Sequence, residues 1–161
     1  MATGNFLTTH ALRGAFFATQ LDQLAELIAV QGEALLQNSG IHIPSRAVST
    51  ALLIGERGKI SAADIAEELK QPHQLVTQRI ELLISAGIVN RLPDPDDGRR
   101  KTLQLTDTGI VQFEKLKQSL GDIERIFGDL FEEIDCDLPS VILKTSEALD
   151  QSSLSMRRKP T

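Results

Sequence analysis

The chain has few of the features that mark a secreted, membrane-spanning or bulk nucleic-acid-coating protein. Its 161 residues include one cysteine, so no disulfide can form within the chain, and we expect a cytoplasmic protein. No apolar run approaches the roughly 20 residues of a membrane helix, and the opening residues lack the pattern of a signal peptide. The net charge of -5 argues against coating nucleic acid through total charge.

Motifs of enzymes and of metal sites are also missing. The sequence has no Gly-rich phosphate loop, no nucleophile motif and no zinc signature. His10, His42 and His73 are far apart and lack the spacing of metal ligands. Cys136 stands between two aspartates, whose charge disfavours the thiolate that an oxidant sensor needs. We therefore expect neither an enzyme nor a metal or cofactor site.

The densest set of structural signals lies in residues 60–106. Ser61 can cap a short helix, with Asp64 in the capping-box position and apolar residues behind it at helical spacing. Pro72 cannot continue that helix, but it suits the first turn of a second one. Gly87 stands where the second helix should end. The pattern predicts two helices joined by a short turn.

Two strand-like segments follow the second helix. They cover residues 88–92 and 103–106, and Ile60 can add a short third strand. The loop between them, 93–101, has proline and glycine at its tip and basic residues at its end. A helix pair followed by a charged hairpin is typical of a winged helix-turn-helix, whose second helix lies in the DNA major groove.

Helical spacing divides the second helix into an inner apolar face and an outer polar face. His73 and Arg79 flank the outer face and suit phosphates. Glutamine can pair in a bidentate way with adenine, and threonine offers a hydroxyl and a methyl group. A solvated polar face is the alternative interpretation. The residues on the outer face are Gln74, Thr77, Gln78 and Glu81.

The hairpin loop carries the most specific signal. Arg99, Arg100 and Lys101 follow its tip, and arginine on a narrow tip can enter a minor groove and respond to its width. Asp97 lies two residues before Arg99, close enough to brace the guanidinium through a bidentate pair. An ion-paired surface turn without a ligand is the alternative.

Residues 60–109 resemble the DNA-binding domain of the MarR (multiple antibiotic resistance regulator) family. The resemblance implies a dimeric bacterial transcription regulator, usually a repressor that a small molecule or oxidant releases from DNA. It also implies Arg99 as the minor-groove arginine and Asp97 as its brace. The family often has Arg at the position of Gln78, so base readout here differs. The matching residues are Ser61 to Ala66, Val76 and Thr77, Ala86 to Val89, and Asp94 to Gly109 with its Leu-x-Leu-Thr-x-x-Gly motif.

The ends of the chain read as long amphipathic helices. One covers residues 9–37, and the others cover residues 107–153 with a break at residues 137–139. They hold more apolar residues than a small reading domain can cover, so a second subunit is the simplest burial site. Folding back on their own subunit is the alternative. The resemblance favours the homodimer.

The predicted architecture is mainly α with a small β wing. We expect a single domain over residues 1–161, with the winged helix-turn-helix at 45–106 and dimerisation helices on both sides. Residues 57–104 hold eight Lys and Arg and seven Asp and Glu, so they are the least acidic part of the chain.

Double-stranded DNA is the expected partner. Ser61, at the start of the first helix, is also expected to contact the DNA. The resemblance also implies a pocket for a small-molecule inducer. Phe16, Phe17 and Phe113 could line it, although core packing is the alternative role for each. A winged helix that binds another protein through acidic faces, without specific DNA binding, is the alternative function.

Overall fold

The computed structural model describes residues 5–93 and 101–158 as mostly helical with one small sheet. The chain divides into two compact units, residues 1–118 and 119–161. Among the described residues, no helix is long and apolar enough to cross a membrane. The predicted fold class is confirmed. The elements are α1 (Phe6–Thr9), a 3-10 turn (Arg13–Phe16), α2 (Phe17–Asn38), a second 3-10 turn (Ser45–Ala47), α3 (Val48–Arg57), β1 (Ile60–Ser61), α4 (Ala62–Glu68), α5 (His73–Ser85), β2 (Val89–Pro93), β3 (Lys101–Leu105), α6 (Asp107–Glu133) and α7 (Leu138–Gln151).

The sheet has three strands, with β3 between β1 and β2 and antiparallel to both. Ile60 pairs with Leu103, and Val89 pairs with Leu105. Val89 and Leu103 are buried against the core, whereas Arg91, on the same face of β2 as Val89 and opposite Leu103, stays exposed. The predicted hairpin and its short third strand are confirmed.

Local signals set the bounds of α4 and the turn after it. The Asp64 N–H donates to Ser61 Oγ at 3.2 Å, so Ser61 caps α4 as predicted. Lys70 has a φ of 50°, in the left-handed region that few residues other than glycine adopt. The Gln71 N–H donates to the Ala66 carbonyl at 2.9 Å, and this bond redirects the chain toward α5.

Helix α5 lies between a proline and a glycine. It begins directly after Pro72 and ends before Gly87, whose φ of 69° suits a glycine. Val76, Ile80 and Leu83 are fully buried. Three large apolar side chains on one face hold this helix in the core, which leaves the opposite face free for a ligand.

The beginning of α6 closes the core of the first unit. The His42 N–H donates to Oε1 of the buried Gln112 at 2.6 Å. Phe113 is also buried, and its ring lies against Gly55 of α3, where a Cβ atom would overlap it. Side chains of α6 therefore hold the start of this helix against α3 and against the loop before α3.

The single helix predicted over residues 9–37 is wrong at its start. The Leu12 N–H donates to Nδ1 of His10 at 3.0 Å, a side-chain bond that competes with the helical backbone pattern. The chain forms α1 and a 3-10 turn there, and the long helix spans only Phe17–Asn38. Hydrophobic spacing cannot detect such a local bond.

The second unit contains the end of α6 and all of α7. A break between these helices was predicted at residues 137–139 and is found slightly earlier, because α6 ends at Glu133 and α7 starts at Leu138. Asp137 caps α7 by accepting the Ser140 N–H at 3.2 Å. Hydrogen bonds from the hydroxyl and then the backbone of Ser140 lower the pKa of Asp137.

Candidate nucleic-acid interface

The outward face of α5 is polar and exposed. Gln74, Thr77 and Gln78 are all exposed, opposite the buried face of the same helix. The predicted division of the helix into two faces is confirmed. Three side chains that can contact base edges are thus held on a helix whose position is fixed by the core.

The Thr77 hydroxyl already donates one hydrogen bond within α5. It donates to the His73 carbonyl at 2.9 Å, one turn back in the helix. The hydroxyl oxygen still has lone pairs, and the methyl group remains available for apolar contact. In this rotamer Thr77 can accept a hydrogen bond from a base or contact a thymine methyl group. His73 itself is exposed at the start of α5.

Arg79 lies on the flank of α5 and is half-buried. Its Nη1 donates to Oε1 of Gln71, and its buried Nε has no partner among the described residues. Burial, and then the nearby charge of Arg46, lower the pKa of Arg79. Sequence analysis placed Arg79 on an open flank, whereas the structure holds its side chain against neighbouring elements.

Arg91 is a basic residue at this surface that sequence analysis missed. Its Nη2 donates to Oε1 of Glu81 at 2.8 Å, and both side chains are about half-exposed. The pair links β2 to the outward face of α5 and offsets the negative charge of Glu81. Strand alternation could not have identified Arg91, because it lies on the same face of β2 as the buried Val89 and pairs with the buried Leu103.

Ser61 has a structural role in the described fold. Its hydroxyl donates to Oδ2 of Asp64 at 2.6 Å, and its oxygen accepts the Asp64 N–H. These bonds stabilise the first turn of α4. The contact of Ser61 with DNA stays a prediction.

The hairpin is defined up to the pair formed by Pro93 and Lys101. Lys101 is exposed at the start of β3. The three other predicted wing residues, Asp97, Arg99 and Arg100, lie outside the described residues, so their roles stay predictions. The strands that carry the loop pack beside α5 through β2, which places helix and hairpin on one surface.

The three phenylalanines predicted to line a ligand pocket have different surroundings. Phe16 packs against Phe6 and His10, with ring centroids 5.8 and 5.3 Å away. Phe17 is exposed, and Phe113 is buried. Among the described residues no ring contact joins Phe113 to the other two. Their role in binding an inducer stays a prediction.

Residues 43–100 match the model of the MarR family. This segment begins before the second 3-10 turn and covers α3 to β2 together with the hairpin loop. The resemblance predicted from the wing and the helix pair is confirmed. No curated protein sequence matches the chain.

Solved structures share the fold at low sequence identity. The S. aureus MepR–DNA complex has a TM-score of 0.62 and 19% identity over 83% of this chain and 97% of that chain. Reduced MarR from E. coli has a TM-score of 0.54 and 18% identity over 82% and 94% of the two chains. A MarR transcriptional regulator from Methanosarcina mazei Go1 has a TM-score of 0.56 and 21% identity over 88% and 98%.

Proposed function

We propose that this protein is a transcriptional regulator that binds a near-palindromic operator as a homodimer. The proposal starts from the winged helix-turn-helix of the MarR family, which the chain carries. The observation that carries the proposal is the exposed polar face of α5 beside the β2–β3 hairpin. A similar fold in MepR has been solved with DNA.

In this proposal α5 enters the major groove and Gln74, Thr77 and Gln78 contact base edges. His73 and Arg79 contact phosphates at the flanks of the same helix. Lys101, at the end of the hairpin, contacts the DNA backbone beside the hairpin, and so does Arg100. Arg99 enters the minor groove, with Asp97 as its brace.

The homodimer is supported by apolar side chains that the single chain leaves exposed. In α2 they include Leu27 and Val30, which are 53% and 59% exposed. In the second unit, Ile142 and Leu143 of α7 are 50% and 60% exposed. Apolar area on this scale calls for a partner surface. A two-fold dimer would place two α5 helices roughly 34–36 Å apart, one turn of DNA.

We further propose that the protein acts in the cytoplasm as a repressor that a small molecule releases from its operator. The resemblance to the family supports this part of the proposal. Phe16, Phe17 and Phe113 remain the candidate ligand contacts. No enzymatic activity is part of the proposal.

Arg99 gives the sharpest test of the proposed interface. Because DNA binding through basic side chains releases counterions, affinity should fall steeply as salt rises. Arg99→Ala is expected to weaken operator binding about tenfold or more and to reduce the slope against salt by about one unit. Fluorescence anisotropy of a labelled duplex at several salt concentrations measures both quantities.

Arg13→Ala is the matched control, because Arg13 carries the same charge outside the winged helix and is exposed. It should leave affinity and slope near those of the wild-type protein. Specific binding that survives Arg99→Ala unchanged would contradict the wing assignment. A wild-type protein that binds no DNA at all would favour the alternative, a winged helix that binds another protein.

A further inference from the structure

Two basic side chains, Arg46 and Arg79, lie at the flank of α5, away from the hairpin. Arg46 belongs to the 3-10 turn Ser45–Ala47, and this turn packs against both α2 and α5. Arg46 is close enough to Arg79 of α5 for its charge to lower the pKa of that residue. Two guanidinium groups from two packed elements thus lie near each other at this flank.

Helix α2 holds this turn through three polar contacts. The Ser45 N–H donates to Oε2 of Glu33 at 2.7 Å, and the Ser45 hydroxyl donates to the Ala29 carbonyl at 2.7 Å. Arg46 forms an ion pair with Glu26. Since Glu26, Ala29 and Glu33 recur at helical spacing, one side of α2 fixes both the backbone and the charge of the turn.

Only one of the two guanidinium groups has a carboxylate partner among the described residues. Glu26 pairs with Arg46, whereas Arg79 reaches only the neutral amide of Gln71 and keeps a buried Nε without a partner in the described structure. The carboxylate of Glu33 also lies at this turn, but it accepts the Ser45 N–H and forms none of the ion pairs among the described residues. A phosphate group offers more acceptor oxygens and more charge than a single carboxylate, and arginine is well suited to bind it.

Exposure leaves Arg46 accessible to such a group. The side chains of Arg46 and Glu26 are 49% and 59% exposed, so either can rotate without breaking the core. An ion pair at this level of exposure is weak. Phosphate can therefore displace Glu26 at a small cost.

We propose that Arg46 is a further DNA-phosphate contact beside Arg79, and that Glu26 on α2 competes with the phosphate for it. This inference rests on the proposed function. Glu26 then lowers DNA affinity in the wild-type protein. Because Glu26 belongs to α2, a shift of that helix would change the restraint on Arg46 and thus the affinity at the reading surface.

Glu26→Gln tests the competition. It is expected to tighten binding about two- to fivefold, because Arg46 becomes free for phosphate. Asp22→Asn is the matched control, since Asp22 lies one turn earlier on α2, is exposed, and forms none of the ion pairs in the described residues. The probe is a mixed-sequence duplex of about 30 base pairs, because phosphate contacts do not depend on sequence.

Arg46→Gln approaches the same contact from the other side. It should weaken binding and lower the salt slope by about one unit. In the Arg46→Gln background, Glu26→Gln should have no further effect, which separates competition for Arg46 from a general loss of negative charge. Thermal unfolding of each variant checks that the fold is kept.

Equal gains from Glu26→Gln and Asp22→Asn would overturn the inference while leaving the proposed function in place. A Glu26→Gln gain that persists without Arg46 would overturn it too. Failure of the wild-type protein to bind duplex DNA would overturn the proposed function and this inference together.

Discussion

At the scale of single residues, Thr106 joins three elements of the winged helix. Its hydroxyl donates to the Gly87 carbonyl at 2.6 Å and accepts the Gly109 N–H at 2.9 Å. Its own N–H donates to the Ile88 carbonyl at 3.0 Å. One side chain thus ties the end of the helix-turn-helix to the start of α6. These hydrogen bonds give a structural reason for the threonine and the glycine in the Leu-Thr-x-x-Gly part of the sequence motif.

Gly109 is required by close packing. A Cβ atom there would overlap the Ile88 carbonyl oxygen, which belongs to the backbone and cannot rotate away. Gly109→Ala is expected to destabilise the protein by about 1–3 kcal/mol, measured by chemical unfolding. Gly121→Ala on the same helix is the control, because no atom lies within 4 Å of its added Cβ. It should be neutral or stabilise by up to about 1 kcal/mol. Equal losses from both changes would contradict this packing argument.

Residue-scale orientation was the hardest feature to predict from sequence. The period of α5 correctly predicted which residues face outward. It could not predict that Arg79 turns toward Gln71, because a long side chain follows neighbours supplied by other parts of the chain. It also gave no sign of the Arg46–Glu26 pair, whose members are 20 residues apart.

At the scale of elements, the proposed function makes α5 the helix that reads the DNA sequence. Gln78 is exposed at the centre of its outward face, where the family often carries arginine. Gln78→Ala is expected to reduce discrimination at one base position in each half-site by about 1–3 kcal/mol. Competition binding with single-base operator variants measures this loss.

Mixed-sequence DNA provides the internal control for Gln78→Ala. Affinity for it should stay unchanged, because phosphate contacts are left in place. An equal loss on operator and mixed-sequence DNA would show that Gln78 only fills the groove.

Helix boundaries that are marked by a capping residue, a proline or a glycine were predictable, and boundaries without such a residue were not. Ser61, Pro72 and Gly87 each mark a boundary by their own chemistry, and the structure places a helix boundary within two residues of each. The start of the long N-terminal helix depends instead on the bond between Leu12 and His10. Apolar spacing continues across that bond, so the pattern overextended the helix.

At the scale of the whole molecule, exposed apolar side chains support the proposed homodimer. Leu27→Glu places a charge among the exposed apolar residues of α2 and is expected to shift the protein from dimer toward monomer. Sedimentation equilibrium measures the change. Ala25→Glu is the control, since Ala25 is exposed on the opposite side of the same helix. A Leu27→Glu protein that assembles like the wild type would exclude that face of α2 from the interface.

The whole-molecule charge is consistent with local rather than bulk recognition of DNA. The net charge of -5 repels phosphate on average, so basic residues must be gathered at one surface. Arg79 belongs to α5, Arg46 to a turn that packs against α5, and Arg91 pairs with Glu81 of the same helix. Sequence analysis predicted the surface but only part of its charge, since Arg46 precedes the helix-turn-helix and Arg91 lies in a strand.

Selection of sheared genomic DNA by the purified protein at moderate salt tests the central claim most directly. The fragments retained are sequenced and compared with the input. Specific DNA recognition predicts a small set of fragments that share a near-palindrome with half-sites about one DNA turn apart. Uniform recovery of all fragments, or of none, from a correctly folded dimer without bound ligand would contradict the proposed function.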